Sequence, residues 1–226
     1  MTTFALIHGA GGDGWTWHLV EAELRARGHA TIAPDLPIED DAATLNVYAD
    51  TVVRAIDSAT GDDLVVVGIS LGGYTAPIVC DRLPVAHLVL VTAMVPRPGE
   101  TAGEMFAATG YAPEPQADPS PMSMFLHDVD QTLAIEALAR GRDQSGTTLE
   151  EPWPLASWPD VPVTFVLARN DRLFPADWVR SVAAARLGVV PIEIESGHCV
   201  PLAQPRALAD ILEGVLTPQS PRPVQV

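Results

Sequence analysis

The chain has 226 residues, of which 47% are hydrophobic and 19% are charged. This length and composition predict one globular domain that buries about 70–75% of the surface exposed by its unfolded chain. Its 29 acidic and 13 basic residues give a formal net charge of −16, which opposes binding to nucleic acid phosphates or to an anionic membrane surface. We therefore expect neither nucleic acid nor a membrane as a partner.

Residue usage restricts the chemistry further. All 13 basic residues are arginines, which excludes a lysine Schiff base and a Walker-type phosphate lysine. Two cysteines exclude a disulfide scaffold and a cysteine-rich metal site. No apolar run approaches the ~18 residues that a membrane-spanning helix needs, and the first residues do not resemble a secretory signal. These features predict a cytoplasmic protein with reduced cysteines.

Apolar runs and segments of helical periodicity alternate along the chain. The apolar runs are nearly continuous, which is typical of strands buried on both faces, and they cover residues 4–7, 30–33, 64–69, 87–92, 163–167 and 189–194. The predicted helices cover residues 15–27, 45–58, 72–83, 131–140, 176–187 and 206–216. Thr44 is a candidate N-cap, and Gly28 and Gly188 end two of the helices. This alternation predicts a three-layer α/β domain with right-handed crossovers.

One long segment interrupts the alternation. Residues 96–162 separate the fourth and fifth predicted strands, and six prolines lie in the first part of this segment. A segment of this length is usually functional, and its aromatic and methionine side chains can pack, so we expect a cap or lid rather than a disordered insertion. The predicted organisation is a core of residues 1–95 and 163–216, a cap of residues 96–162 and a flexible tail of residues 217–226.

Residues 68–72 read Gly-Ile-Ser-Leu-Gly and fit the G-x-S-x-G pattern of a nucleophile elbow. The pattern lies between an apolar strand and a helix, and such a strand–turn–helix holds the serine in a strained turn at the carboxyl end of the sheet. The glycines leave room for the turn, and the helix N-terminus favours developing negative charge. Ser70 is therefore the candidate nucleophile, and the alternative is a turn without chemistry.

A serine hydroxyl needs a general base, and a histidine base needs a carboxylate that fixes its tautomer. His198 follows the sixth predicted strand and Asp171 follows the fifth, so both lie at the same edge of the sheet as Ser70. The chain order serine, aspartate, histidine is the order expected of this architecture. The alternatives, which their positions disfavour, are His8, His18, His29, His87 and His127 as the base and Asp35 and Asp177 as the acid.

The reaction also needs donors for an oxyanion. The expected donors are the backbone N–H after the nucleophile and one from the loop after the first strand. Residues 8–12 read His-Gly-Ala-Gly-Gly and form that loop, in which glycines let the backbone approach a substrate oxygen. We therefore expect the N–H groups of Leu71 and Ala10 to form the oxyanion hole.

With these motifs the chain resembles an α/β-hydrolase from residue 3 to about residue 216. The His-Gly-Ala loop followed by Gly-Trp-Thr-Trp at residues 14–17 is similar to the small branch that holds plant methylesterases, hydroxynitrile lyases and bacterial carboxylesterases. The resemblance implies an α/β-hydrolase fold with six parallel strands in the order 2-1-3-4-5-6 and a small inserted cap. Hydroxynitrile lyases of this branch have a lysine after the catalytic histidine and a threonine after the first-loop histidine, whereas this chain has Cys199 and Gly9 there, which favours an esterase.

The sequence thus predicts a serine hydrolase that cleaves a small or medium carboxylic ester or lactone through an acyl-enzyme intermediate. No cofactor and no metal site are expected. Apolar side chains of the cap predict an apolar pocket, with the candidate lining residues Gly11, Met105, Phe106, Met124, Phe125 and His127. The alternatives are a lyase, a perhydrolase or a biosynthetic cyclase on the same scaffold, or a receptor-like protein that binds a small molecule.

Overall fold

A computed structural model describes residues 1–56, 63–113 and 115–216. The strands are β1 (Thr2–Ile7), β2 (Ala30–Ile32), β3 (Asp63–Ile69), β4 (His87–Val91), β5 (Val163–Ala168) and β6 (Ile192–Ile194). They form one parallel sheet in the order β2-β1-β3-β4-β5-β6, which confirms the predicted fold and strand order. The predicted tail and the end of the predicted helix 45–58 lie outside the described residues.

Ten α-helices lie within the described ranges. They are α1 (His18–Ala26), α2 (Leu45–Ile56), α3 (Gly72–Arg82), α4 (Ala102–Ala108), α5 (Pro121–Phe125), α6 (Gln131–Ala139), α7 (Thr147–Glu150), α8 (Ala176–Leu187), α9 (Val200–Ala203) and α10 (Pro205–Gly214). Helix α2 begins after Thr44, whose Oγ1 accepts the N–H of Val47 at 3.3 Å. The helix-ending glycines Gly28 and Gly188 have positive φ angles of 86° and 68°, which glycine adopts readily. None of these helices is long and apolar enough to cross a membrane.

Strand side chains point alternately to two apolar cores, one on each face of the sheet. In β1, Ala5 and Ile7 join one core, whereas Phe4 and Leu6 join the other. The first core also contains buried residues of α2, α3 and α8, and the second contains buried residues of α1 and α10. Because both faces are covered by helices, β1 is buried along its whole length, as its continuous apolar run predicts.

Most predicted elements differ from the structure by one or two residues at an end, and three differences concern how an element begins. The predicted strand 189–194 is reduced to β6, because Val190 is exposed and Pro191 has no N–H to donate to a neighbouring strand. The predicted helix 15–27 starts as a separate 3₁₀ turn, Gly14–Trp17, before α1. The predicted last helix begins one residue earlier, at Pro205, and the unpredicted short helix α9 precedes it.

Helices α4 to α7 all lie in the segment 96–162, between β4 and β5. Helix α4 begins with a capping box, in which Thr101 Oγ1 accepts the N–H of Glu104 and the Glu104 carboxylate accepts the N–H of Thr101. The indole N–H of Trp153 donates to the carbonyl of Tyr74 in α3 at 3.0 Å, and that of Trp158 donates to the carbonyl of Pro96 at 2.9 Å. We call this segment the cap. The bond of Trp153 attaches it to α3, the helix that follows the elbow, whereas the bond of Trp158 lies within the cap.

Candidate active site

Ser70 lies between β3 and α3 in a strained backbone conformation. Its φ angle is 53°, in the left-handed region that costs an L-residue roughly 1–2 kcal/mol. The surrounding backbone holds it there: the N–H of Ser70 donates to Val91 at 3.2 Å, and its carbonyl accepts from Gly73 and Met94, both at 3.0 Å. The G-x-S-x-G pattern therefore forms a strand–turn–helix, as its context in the sequence predicts.

Close approach of the backbone explains the two glycines of the pattern. A Cβ atom at Gly68 would lie 2.6 Å from the carbonyl oxygen of Gly72, and one at Gly72 would lie 2.9 Å from the carbonyl oxygen of Ile7. Both distances are too short for non-bonded atoms. A third glycine faces the nucleophile itself, since a Cβ at Gly9 would lie 2.9 Å from the Cβ of Ser70. The loop after β1 thus packs directly against the elbow.

Asp171 and His198 form a buried pair. His198 Nδ1 and Asp171 Oδ2 are 2.7 Å apart, and the other carboxylate oxygen accepts the N–H groups of Leu173 at 2.8 Å and Phe174 at 3.0 Å. The imidazole of His198 is also flanked edge-on by Phe125 and Phe174, with centroid distances of 5.4 and 5.3 Å. Since the carboxylate accepts at Nδ1, Nε2 is the nitrogen left to act on another group.

The rival acid Asp35 has a structural contact instead. Its Oδ1 accepts the N–H of Gly14 at 2.7 Å and so joins the loop after β2 to the 3₁₀ turn after β1.

His8, a rival base, is a buried residue that directly follows β1. Its Nδ1 lies 2.8 Å from the carbonyl oxygen of Gly9, and its Nε2 accepts the N–H of Leu36 at 3.0 Å. Burial is the largest influence on His8 and lowers its pKa.

A cavity of about 620 Å³ lies between the sheet edge and the cap. The members of the predicted site that line it are Ala10, Gly11, Ser70, Leu71, Phe106, Phe125 and His198. Asp171 is not part of the lining and contacts the lining residue His198 at Nδ1. The structure therefore brings the serine, the histidine and both expected oxyanion residues to one cavity.

Three residues that the sequence placed in the pocket are not in its lining. Met105 is completely buried and packs in the core next to α2, α3 and α8, because Met105 and Phe106 leave α4 in different directions. Met124 and His127 also lie outside the lining. The ring of His127 instead packs against Gly197, where an added Cβ would lie 2.6 Å from its Cε1. Further cap residues that do line the cavity are Tyr111, Pro121, Leu126, Ala137, Leu138, Arg140, Gly141 and Leu149.

Cys199 lines the cavity beside His198, but its environment does not favour a thiolate. Burial raises the pKa of the Cys199 thiol to about 12, and the nearby Asp128 carboxylate acts in the same direction. A thiol attacks or binds a metal as its thiolate, so Cys199 is a poor nucleophile near neutral pH. Within the described residues, no group of three or more His, Cys, Asp or Glu side chains could hold a metal ion.

Contacts between the cap and the loops that carry the candidate site residues were not predicted from the sequence. Arg140 of the cap forms an ion pair of 3.0 Å with Asp13 in the loop after β1, and the N–H of Arg142 donates to the carbonyl of Gly11 at 2.9 Å. On the opposite side, Tyr111 Oη donates to the carbonyl of Leu173, two residues after Asp171, at 2.8 Å. The sequence gives little indication of these contacts, because an isolated polar residue in a long segment does not reveal which residue it contacts.

Comparison with known proteins agrees with this fold. A model of the alpha/beta hydrolase family matches residues 4–211. The rice (Oryza sativa) protein named probable esterase PIR7A is 34% identical over 110 residues, which are 44% of this chain and 42% of that protein. Methylesterase 7 of Arabidopsis thaliana is 34% identical over 104 residues, 41% of this chain and 40% of that protein. The match therefore spans less than half the length of these two relatives.

A solved pyrethroid hydrolase from Sphingobium faniae superposes with a TM-score of 0.77 at 24% identity, over 96% of this chain and 98% of that one. The likeness shows a common fold. The predicted resemblance to plant methylesterases and esterases is confirmed by the two plant relatives. Because the family model covers nearly all of the sheet and the elbow as well as the Asp171–His198 pair, the chain belongs to the alpha/beta hydrolase family.

Proposed function

We propose that this protein is a serine hydrolase that cleaves a carboxylic ester or lactone through an acyl-enzyme intermediate. The observation that carries the proposal is the 2.7 Å contact between His198 Nδ1 and Asp171 Oδ2, behind a cavity that Ser70 and His198 both line. A carboxylate at Nδ1 fixes the tautomer in which Nε2 is free of a proton and can act as a base. Ser70 is then the nucleophile.

The reaction has two halves. His198 Nε2 takes the hydroxyl proton of Ser70 while Oγ attacks the substrate carbonyl carbon, and Asp171 stabilises the resulting imidazolium. When the tetrahedral intermediate collapses, the same proton passes from Nε2 to the leaving alcohol oxygen, and the acyl group remains on Ser70. Water then attacks this ester with His198 again as the base, and the carboxylic acid is released.

The backbone N–H groups of Ala10 and Leu71 are the proposed donors to the oxyanion. Both residues line the cavity, and neither N–H has an acceptor among the described residues, which is the arrangement expected of donors reserved for a substrate. Preorganised donors of this kind contribute roughly 3–4 kcal/mol each to stabilisation of the transition state. Gly9, which packs against Ser70, allows the loop to approach closely enough.

The cavity indicates a substrate of medium size and mostly apolar surface. Its volume of about 620 Å³ lies within the range of sites that enclose small organic molecules, about 300–1,000 Å³. Most lining side chains are aliphatic or aromatic. The names of the plant relatives, an esterase and a methylesterase, also support an ester as the substrate class.

Hydrolysis of p-nitrophenyl esters from acetate to octanoate tests the proposal. We expect turnover by the wild type and, because the triad acts as a unit, a loss of kcat of about 10⁴-fold or more in Ser70→Ala. Ser181→Ala, which removes an exposed hydroxyl from α8, is the matched control and should keep the full rate. Turnover that survives in Ser70→Ala would refute the assignment of the nucleophile.

A further inference from the structure

The peptide that precedes His198 is held from one side by the body of the protein and from the other side by the cap. On the body side, the carbonyl of Ser196 accepts the N–H of Asn170 at 2.9 Å, and the N–H of Ser196 donates to Ile194 at 3.0 Å. On the cap side, Asp128 Oδ2 accepts the N–H of Gly197 at 2.5 Å and the hydroxyl of Ser196 at 3.3 Å. Asp128 is thus the acceptor for the amide directly before the catalytic histidine.

Glycine is needed at residue 197 because the cap comes so close. A Cβ at this position would lie 2.6 Å from Asp128 Oδ1 and 2.6 Å from His127 Cε1. The contact between Asp128 and the backbone therefore excludes any side chain between them. Because glycine has a wide choice of backbone conformations, the peptide at residue 197 depends on external contacts to hold one of them.

The position of Asp128 is itself fixed. It lies in the turn between α5 and α6, where the N–H of Val129 donates to the carbonyl of Leu126 at 3.1 Å. Leu126 and Val129 are buried and pack with Leu202, which follows the catalytic histidine in α9. Although Asp128 is exposed, its backbone is thereby anchored to the helix that begins two residues after His198.

We propose that Asp128 is a positioning residue for the catalytic base. By accepting the N–H of Gly197, the cap fixes the peptide from which the imidazole of His198 projects, so that Nε2 faces Ser70 while Nδ1 stays bonded to Asp171. This role rests on the proposed function, in which His198 is the base. Asp128 does not touch the reacting atoms, and it acts through the backbone.

Three variants separate this role from a merely structural one. Asp128→Ala removes the acceptor, whereas Asp128→Asn keeps an oxygen for Gly197 N–H and an amide that can donate to Ser196 Oγ. Asp128→Ser is polar but too short to reach Gly197, and it replaces the alanine variant if that variant proves unstable. The matched control is Asp130→Ala, which removes an exposed carboxylate that, among the described residues, accepts the N–H groups of Thr132 and Leu133 at the start of α6.

We expect Asp128→Ala to lower kcat for a p-nitrophenyl ester by about 10- to 100-fold, because a displacement of about 1 Å in a catalytic group has this effect. KM should stay within about twofold of the wild type, since the cavity wall is unchanged. Asp128→Asn should recover most of the rate, and Asp130→Ala should keep it. An unchanged kcat in Asp128→Ala would overturn the proposal, and so would an equal loss in Asp128→Asn and Asp128→Ala.

Proton NMR gives a second readout that does not depend on turnover. The Nδ1–H of His198, identified by its absence in His198→Ala, should give a downfield resonance in the wild type because it is held against Asp171. In Asp128→Ala this resonance should broaden or vanish by exchange with water, whereas Asp128→Asn should retain it. If the wild type shows no Ser70-dependent hydrolysis but the resonance changes as expected, the proposed function is refuted and the effect of Asp128 on the position of His198 is retained. A wild-type resonance in Asp128→Ala would refute the role of Asp128 alone.

Discussion

His8 is a buried polar residue whose protonation can be deduced from its hydrogen bonds. Because the N–H of Leu36 donates to Nε2, the imidazole proton is on Nδ1, where it donates to the carbonyl of Gly9. The neutral ring therefore joins the loop that carries Ala10 to the loop after β2. A protonated ring would place a second N–H against the N–H of Leu36, and burial likewise lowers the pKa of His8.

This neutral histidine makes stability depend on pH. An unfolded histidine titrates near pH 6.5, whereas folded His8 stays neutral to lower pH. Below about pH 6.5 the unfolded chain therefore binds more protons at this position, and the free energy of unfolding falls as pH is lowered towards the pKa of the folded state. His8→Gln, which keeps an acceptor for Leu36, should lose less stability than the wild type between about pH 7 and about pH 5.

Urea unfolding across this pH range measures the difference. Burial also lowers the pKa of His87, whose Nε2 lies 2.9 Å from Thr164 Oγ1, so part of the pH dependence should persist in His8→Gln. Urea unfolding of His87→Gln over the same pH range measures the part of the pH dependence that comes from His87. If His8→Gln lost as much stability as the wild type, the neutral state inferred for His8 would be wrong.

At the scale of a single residue, local patterns predicted the candidate triad more readily than the contacts that hold it. Ser70, Asp171 and His198 each follow a predicted strand, so the topology of a parallel sheet is enough to bring them to one edge. Asp128 is 69 positions before its partner Gly197, and no periodicity or motif links the two. Such a contact depends on how the cap packs, which short-range sequence patterns do not encode.

Helix α4 of the cap has two adjacent residues with different surroundings. Phe106 lines the cavity and packs against Tyr111, with ring centroids 4.5 Å apart, whereas Met105 is wholly buried in the core. The sequence predicted both in the pocket, because a seven-residue helix does not reveal which of its apolar faces meets a ligand. Of these two residues, only Phe106 is placed to contact a bound substrate.

Phe106→Leu should alter substrate preference, since it removes ring volume from the cavity wall. We expect the ratio of kcat/KM for the p-nitrophenyl octanoate to that for the acetate to rise by about 10-fold, the lower end of the roughly 1–3 kcal/mol that a methylene-sized change in an apolar pocket is worth. Met105→Leu nearly conserves volume in the core and should cost less than about 1.5 kcal/mol of stability with an unchanged ratio. A shifted ratio in Met105→Leu, or none in Phe106→Leu, would contradict these assignments.

Whole elements were also predicted well where local sequence patterns determine them and less well where distant contacts do. The strands β1, β3, β4 and β5 were predicted closely because both of their faces are covered, so that most of their residues are apolar. The edge strand β6 was predicted too long, because apolar residues such as Val190 also occur at an exposed edge. Among the cap helices only α6 was predicted, since it is longer than α4, α5 and α7.

At the scale of the whole molecule, the parallel sheet and the cap together create the proposed site. The sheet delivers the ends of β3, β5 and β6 to one edge, and the cap closes the cavity over that edge. The cap contacts each loop of the proposed site: Arg140 contacts the loop after β1, Tyr111 contacts the loop that follows Asp171, and Asp128 contacts the loop that precedes His198. Specificity and catalytic geometry are therefore expected to depend on the same segment.

The net charge of −16 is also a property of the whole molecule. Many of the arginines, such as Arg27, Arg180 and Arg186, form ion pairs with carboxylates, so the excess negative charge is spread over the remaining surface. A surface of this kind keeps a protein in solution and opposes anionic partners.

The division into core and cap and the cytoplasmic location stay predictions from the sequence.

The central claim is that Ser70 is a nucleophile activated by His198, and covalent trapping tests it most directly. The protein is treated with a fluorophosphonate, which phosphonylates activated serines, and the adduct is located by mass spectrometry of the intact chain and of its peptides. We predict one adduct, on Ser70, absent in Ser70→Ala and formed at least about 10²-fold more slowly in His198→Ala, which lacks the general base. An adduct on another residue, or an undiminished rate in His198→Ala, would contradict the account.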